Sequence, residues 1–404
     1  MPRINFFAPV ASGADRAEAS EGALEIINGY VDVVSGQPSI KLRPGSSILH
    51  DTSATGRVDL YWWEAKRILI VTCGTKIFAK TSRTGSLHDI TPVISANIFP
   101  FNARVFFSAD EHGVHMSAGL QILWWGGDIS TPAQKVTGDF VPSEITALTY
   151  LKGYTIASVL NTQEFAYALY ESTDPRTSPP IWQAQRPTAS ASPDDIITLG
   201  AGWEELFILG RESTQSHYAS GDADIPFPAL SGSTSETGIV NARTLQKLLN
   251  TWLFATPLKQ VVIMNGRNAE SISDPIEQEL RRLTYYSDAE AFTLFNRFYV
   301  LTFPTDQTTF VWDSNTRIWS RWEAWDNTIK IFRRFPYISS VYAKSWGLQI
   351  VGDFDGKVYC MNHDLTNDNG TMVRMRLRTG HLDGGTGERK FPSEIKMRLR
   401  RGDR

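Results

Sequence analysis

The sequence is poor in the residues that carry most metal and nucleophilic chemistry. Its 404 residues include two cysteines, Cys73 and Cys360. Two cysteines make neither a disulfide framework nor a zinc set, so reduced assembly in a cytosol is the simple expectation. Acidic and basic residues nearly cancel, 43 against 40, for a net charge of −3. The basic excess of a free-standing nucleic-acid binder is therefore absent. No apolar run approaches the roughly 20 residues that cross a bilayer, and residues 1–10 lack the charged-then-apolar order of a secretion signal. There is no Gly-rich phosphate loop, no Gly-x-Ser-x-Gly elbow and no Cys-x-x-Cys. The seven histidines are scattered; His112 and His115 lie close together but have no further ligands downstream. No catalytic, cofactor-binding or metal-ligating residue is expected, no cofactor is implied, and the chain reads as a non-enzyme.

Weaker motifs resolve the same way. Asp353-Phe354-Asp355-Gly356 begins like a calcium loop, but Lys357 takes the next ligand place and Asp364 stands where a bidentate Glu belongs; a turn between strands is the better reading. Asp194-Asp195 and Glu204-Glu205 are acidic pairs of the kind found on loops, with no partner set for glycoside chemistry. Trp62-Trp63 and Trp124-Trp125 sit on strands, where neighbours point to opposite faces, so each pair is expected to give one core and one interface residue.

What is abundant is aromatic: 21 Phe, 13 Tyr and 12 Trp, residues that favour strands and large buried contacts. The clearest stretch runs over residues 288–325. It predicts four antiparallel strands, at 289–294, 298–303, 309–312 and 318–322, with Pro304-Thr305-Asp306 and Asp313-Ser314-Asn315-Thr316 as turns. Similar strand–turn sets occupy residues 58–79, 104–125, 145–170, 196–218 and 252–272, and a shorter one lies at 339–361. A strand-rich unit recurring roughly every 40 to 55 residues is the outline of a propeller. The fold class read from this is all-β, a β-propeller of six or seven blades, with an N-terminal arm and hairpin and a basic C-terminal β segment. Residues 1–50 form the arm and hairpin, 51–370 the propeller, and 371–404 the basic strands, which either complete the propeller or form a tail-tube part.

Within these limits, Asn28-Gly29 between β-branched residues signals a hairpin, with Ser35-Gly36-Gln37-Pro38 as a second turn. Residues 216–240 form a long polar loop suited to an inter-subunit or gating element. Residues 274–286 predict a helix, capped by Asp274 with Pro275 in its first turn. The tail from Thr371 holds ten Lys/Arg against four Asp/Glu. Arg374, Arg376 and Arg378, then Lys396, Arg398 and Arg400, alternate with apolar residues, which puts a basic face on each of two strands. Those six are the candidate contacts. They either guard solvated edge strands or form a strip that meets phosphates or an acidic partner.

In order and spacing, several stretches resemble one family, the DNA-stabilisation or tail-hub (nozzle) proteins of short-tailed bacteriophages. They are Asn28-Gly29-Tyr30-Val31 with Lys41-Leu42-Arg43-Pro44-Gly45; Ala191 to Ile196 followed by Glu205 to Thr214; Gly238-Ile239 ahead of Trp252-Leu253-Phe254; Asn265-Gly266 ahead of Ile272 to Glu277; Asp288-Ala289 ahead of Phe298 to Pro304; Trp312-Asp313 ahead of Trp319; and Val351-Gly352-Asp353 ahead of Gly356 to Tyr359. The resemblance implies a structural virion protein of the tail, assembled in the host cytoplasm. It would form a ring, expected as a hexamer, below the portal and its head–tail adaptor, extend the DNA channel, help retain packaged DNA and conduct it at ejection. Implied partners are further copies of itself, the adaptor, tail-fibre or tailspike and needle proteins, and double-stranded DNA passing through the lumen, with no membrane-spanning segment. The family offers no catalytic residue to transfer. A carbohydrate-binding or glycan-cleaving propeller that recognises a host surface is the alternative.

Overall fold

The computed structural model describes residues 25–34, 37–93, 99–100, 102–171, 177–189, 191–202, 204–266, 268–326 and 328–378. The described residues are mostly strand with little helix, arranged as a seven-bladed β-propeller. Each blade is an antiparallel meander. The first six begin with Val58–Trp63, Phe106–Ala109, Ile145–Leu151, Ile196–Gly202, Gln246–Leu248 and Glu290–Leu294, and the seventh with Ser339–Ala343. These seven are the innermost strands, and neighbours among them pack around a common axis.

Period-two alternation explains why the blades stack. In blade six every residue of Phe298–Phe303 is buried. Tyr299, Leu301 and Phe303 point into the core shared with blade five, whereas Phe298 and Val300 point into the core shared with blade seven. A strand covered on both faces reads as a continuous apolar run rather than an alternating one. The buried residues fall into seven clusters, one in each gap between adjacent blades. Stability is thus distributed around the ring, and each blade needs both neighbours.

The four strands of blade six lie at Glu290–Leu294, Phe298–Phe303, Thr308–Asp313 and Trp319–Arg321, close to the sequence expectation. The last turn is built by Asp313. Its Oδ1 accepts from Asn315 N at 3.0 Å and its Oδ2 from Thr316 Oγ1 at 3.0 Å, the local capping expected of Asp in turns. Arg297 then clamps both Asp313 oxygens at 2.8 and 2.7 Å.

Blade seven is completed from the far end of the chain. Gly45–Asp51 pairs antiparallel with Lys357–Asn362, from Asp51↔Lys357 to Gly45↔Asn362. The ring is therefore closed by hydrogen bonds between the chain's first and last thirds. Glu25–Ile27 lies parallel to the outer strand of blade six, and Arg376–Arg378 adds antiparallel to its other edge. The hairpin expected at Asn28-Gly29 is not there. Asn28 takes a left-handed φ of 57° and bends the chain between two strands, while the hairpin pairs Gly29–Val34 with Gln37–Leu42. Asn visits that conformation more readily than other non-glycine residues, and here its side chain is held by Arg43, Glu323 and Arg374. The helix expected at 274–286 is shorter, a 3-10 turn at Asp274–Ile276 running into Glu277–Arg282. Among the described residues no helix is long and apolar enough to cross a membrane.

Candidate functional site

Three regions carry chemistry or exposed charge. The first is the basic tail. Arg374, Arg376 and Arg378 are exposed on or beside the outermost strand of blade six. Arg374 stacks its guanidinium 4.1 Å over Trp325, and Arg376 bonds Glu25 at 3.0 Å and lies 5.9 Å over Phe332. Lys396, Arg398 and Arg400 lie outside the described residues. Arg374 and Arg376 thus lay their guanidinium groups on the chain's own aromatic hairpin, Glu323–Asp326 with Ile331–Arg334, while remaining exposed to solvent.

The second region locks both ends of the chain together. Arg43 is 1% exposed. It donates Nε to Asn28 Oδ1 at 2.9 Å, and Nη1 and Nη2 to the two oxygens of Asp368 at 3.0 and 2.6 Å. Nη2 also reaches Glu323 O at 3.3 Å, and the guanidinium lies 4.9 Å over Phe335. Asn28 Oδ1 accepts from Glu323 N at 2.7 Å, and its Nδ2 donates to Arg374 O at 2.8 Å. One arginine and one asparagine therefore join the N-terminal strands, blade six, blade seven and the base of the basic tail.

The third region is the propeller axis, and reading the sequence missed it. Arg57 opens the inner strand of blade one and is 2% exposed. Its Nε sits 3.0 Å from both oxygens of Asp59, and its Nη1 is 2.6 Å from Glu290 Oε2 on blade six. Glu290 Oε1 accepts from Arg243 at 2.9 Å, and Asp59 Oδ2 also accepts from Val105 N at 2.9 Å. Arg104, leading into blade two, donates to Arg243 O ahead of blade five at 2.6 Å and to Ala291 O of blade six at 3.3 Å. Burial penalises the Arg57 charge, but Asp59 and Glu290 more than offset it and raise its pKa. The Glu290 carboxyl, penalised by burial, is held below the usual range by Arg57, Arg243 and Arg104. The available signal was positional: charged residues at 57, 104, 243 and 290 each stand at or just before an innermost strand.

The weaker motifs take structural roles. Asp353 Oδ1 accepts from Asp355 N and Lys357 N, both at 2.8 Å, and its Oδ2 accepts from Tyr359 Oη at 3.0 Å. Asp194 caps the backbone at Arg211, Glu212 and Ser213, and Glu204 pairs with Lys152 at 2.9 Å. Trp63 is core while Trp62 packs edge-on to Trp346; Trp124 and Trp125 are both buried. The 216–240 loop folds back on blade four through the bridges Thr214↔Ser235 and His217↔Ala229. It buries Phe227 among Tyr154, Phe165 and Tyr167. Among the described residues no group of His, Cys, Asp and Glu has metal-binding geometry.

Seven blades, the last completed by an N-terminal strand, define a β-propeller. The family model described as bacteriophage P22 Gp10, β-propeller, matches residues 33–366, and the chain belongs to that phage family, which stabilises packaged DNA. Two solved structures share the architecture. One is a streptogramin B lyase, at 9% identity and a TM-score of 0.51, over 83% of this chain and 98% of that one. The other is the extracellular domain of a one-component system from B. thetaiotaomicron, also at 9% identity and a TM-score of 0.51, over 78% of this chain and 39% of that one. At such identity they show the fold alone. No curated protein matches the chain in sequence.

Proposed function

We propose that this phage structural protein is a hub or nozzle subunit of a short tail. Copies form a ring, expected as a hexamer, below the portal and adaptor. The ring extends the DNA channel, helps retain packaged DNA and conducts it at ejection. Family membership supports the phage and DNA-stabilising part. One observation supports a conduit between copies: Arg104 bonds across the propeller axis to Arg243 O and Ala291 O. A duplex whose major groove alone is about 12 Å wide cannot pass an axis bridged by one side chain. A lumen bounded by several propellers avoids that obstacle, and a net charge of −3 suits a conduit that must not grip DNA.

In this reading the basic tail meets a neighbouring subunit or the adaptor. Neutralising Arg374, Arg376, Arg398 and Arg400 together should weaken ring or adaptor binding and leave DNA retention in assembled rings unchanged. Intact assembly with altered retention would instead place the tail on DNA. Negative-stain imaging of virions labelled with an antibody to this chain tests the placement, since label anywhere but the tail rejects it.

A further inference from the structure

The axial arginines outnumber the acceptors that the protein gives them. Both carboxylates in the bonded network are committed. The two oxygens of Asp59 face Arg57 Nε, with Val105 N on one of them, and each oxygen of Glu290 holds a different arginine. Arg57 Nη2 is buried with no acceptor among the described residues, and so is Arg334 Nη1. Arg334 ends the hairpin ahead of blade seven, and its guanidinium lies 4.2 Å over Phe354, with that of Arg57 5.9 Å over the same ring. A buried donor without an acceptor costs about 1–3 kcal/mol, more when it is charged. Burial lowers the pKa of both Arg104 and Arg334, and the nearby Arg57 charge lowers each further. The remaining acids near Arg334 are Asp355, which is exposed, and Asp288, whose Oδ2 accepts from Thr305 N at 2.9 Å and whose Oδ1 is buried with no partner among the described residues.

We propose that this end of the propeller axis is a binding site for a small tetrahedral oxyanion, of the phosphate or sulfate class, held by Arg57 and Arg334 with Arg104 behind them. A water would satisfy an N–H group but bring no negative charge to four arginines that bond only two carboxylates between them. An oxyanion does both, and the planar guanidinium fork matches its geometry. Phe354 supplies an apolar wall that strengthens each charge-assisted bond. Arg243, whose side chain is 39% exposed, opens the cluster to solvent and gives the anion a way in. The site would pin blades one, two, six and seven together, and it stands independently of the ring reading.

The test uses the full-length protein. Inorganic phosphate is titrated at constant ionic strength, with chloride as the balancing anion, while the unfolding midpoint is followed. Millimolar concentrations keep general salting effects small. The expected result is a saturable rise in midpoint that Arg334→Gln weakens at least tenfold in apparent phosphate affinity. Arg334→Gln leaves the Arg57–Asp59–Glu290 bonds in place, so the variant should fold. A crystal soaked in selenate should show an anomalous peak between Arg57 and Arg334. A non-saturating rise that is equal in both proteins, or no peak, overturns the proposal. Displacement of phosphate by a short duplex oligonucleotide would overturn the free-anion assignment and give the site to nucleic acid.

Discussion

Replacing Arg43 by Met tests whether the chain ends truly lock the ring. Methionine keeps most of the apolar stem against Phe335 but removes the charge and the bonds to Asn28, Asp368 and Glu323. Removing one partner of a buried ion pair costs about 3–5 kcal/mol, because the other charge is left uncompensated. Asp368 keeps 16% side-chain exposure, so water relieves part of that penalty and about 3 kcal/mol is expected. The loss should be local before it is global, since Arg43 sits just ahead of the closing strand Gly45–Asp51. Hydrogen exchange is therefore the sharpest assay. Amides of 45–51 and their partners in 357–362 should exchange roughly 100-fold faster, the factor that about 3 kcal/mol implies if closure opens as a unit. Amides in blade three should not change. A cycle with Asp368→Asn should show coupling above about 1 kcal/mol. Less than a threefold change in exchange, with no coupling, would show that strand pairing alone closes the ring and that the arginine is incidental.

Further substitutions probe other levels of the fold. Trp322→Ala removes a fully buried ring packed against Phe298 and Phe335 at 5.2 and 5.4 Å; it should cost about 3–5 kcal/mol in urea denaturation, and a loss under about 1 kcal/mol would mean that blades six and seven do not depend on this contact. Gly356→Ala forces a side chain onto a residue at φ +81° and against the Ala54 carbonyl, so it should destabilise by more than about 1 kcal/mol, whereas the same change at Gly153, which faces open space, should cost less. Burial pushes His115 from 6.5 down to about 4, so the unfolded chain binds the proton more tightly. Stability should therefore fall as pH drops from about 6.5 towards 4, by up to about 3 kcal/mol from this residue, in the same direction as His50, His217 and His363. A His115→Gln variant with an unchanged acid slope would refute that assignment.

What could be read in advance was local. The strands of blade six and the Asp313 turn were legible because aromatic runs and short polar turn residues carry their own conformational preferences. Blade five shows the limit. Its innermost strand is Gln246–Leu248, three residues with too little apolar character to register, so the first strand expected there was the second one present. The outer strands His88–Asp89, Gln134–Lys135 and Ile181–Trp182 have two residues each and no period to detect. The completion of blade seven by Gly45–Asp51 was invisible for a different reason: no local pattern says that residue 48 will face residue 359. The axial cluster was hidden because its members are far apart in sequence and converge only once seven blades close into a ring.

The basic tail can decide between a protein and a DNA partner because its charges contribute little to the fold. The Arg376–Glu25 pair is half exposed on the arginine side, at 53%, and such pairs are worth about 0–1 kcal/mol. Arg374 adds an exposed stacking contact of similar size on Trp325. Neutralising these positions should leave the propeller folded, so a defect in assembly or DNA retention reports a lost contact rather than unfolding. Salt then separates the two partners. Each arginine that meets a DNA phosphate contributes about 0.9 to the slope of log affinity against log salt. Four neutralised positions on DNA would flatten that slope by about 3 to 4, a change too large to miss. A tail that docks on a neighbouring subunit or the adaptor predicts an unchanged DNA slope and a weakened, salt-sensitive protein association. The strand edge favours the second outcome. Among the described residues Arg376–Arg378 is the edge of a six-stranded sheet, with Met372, Met375 and Leu377 exposed on or beside it at 76%, 46% and 44%. Phosphates have no use for that apolar surface, and another protein chain does.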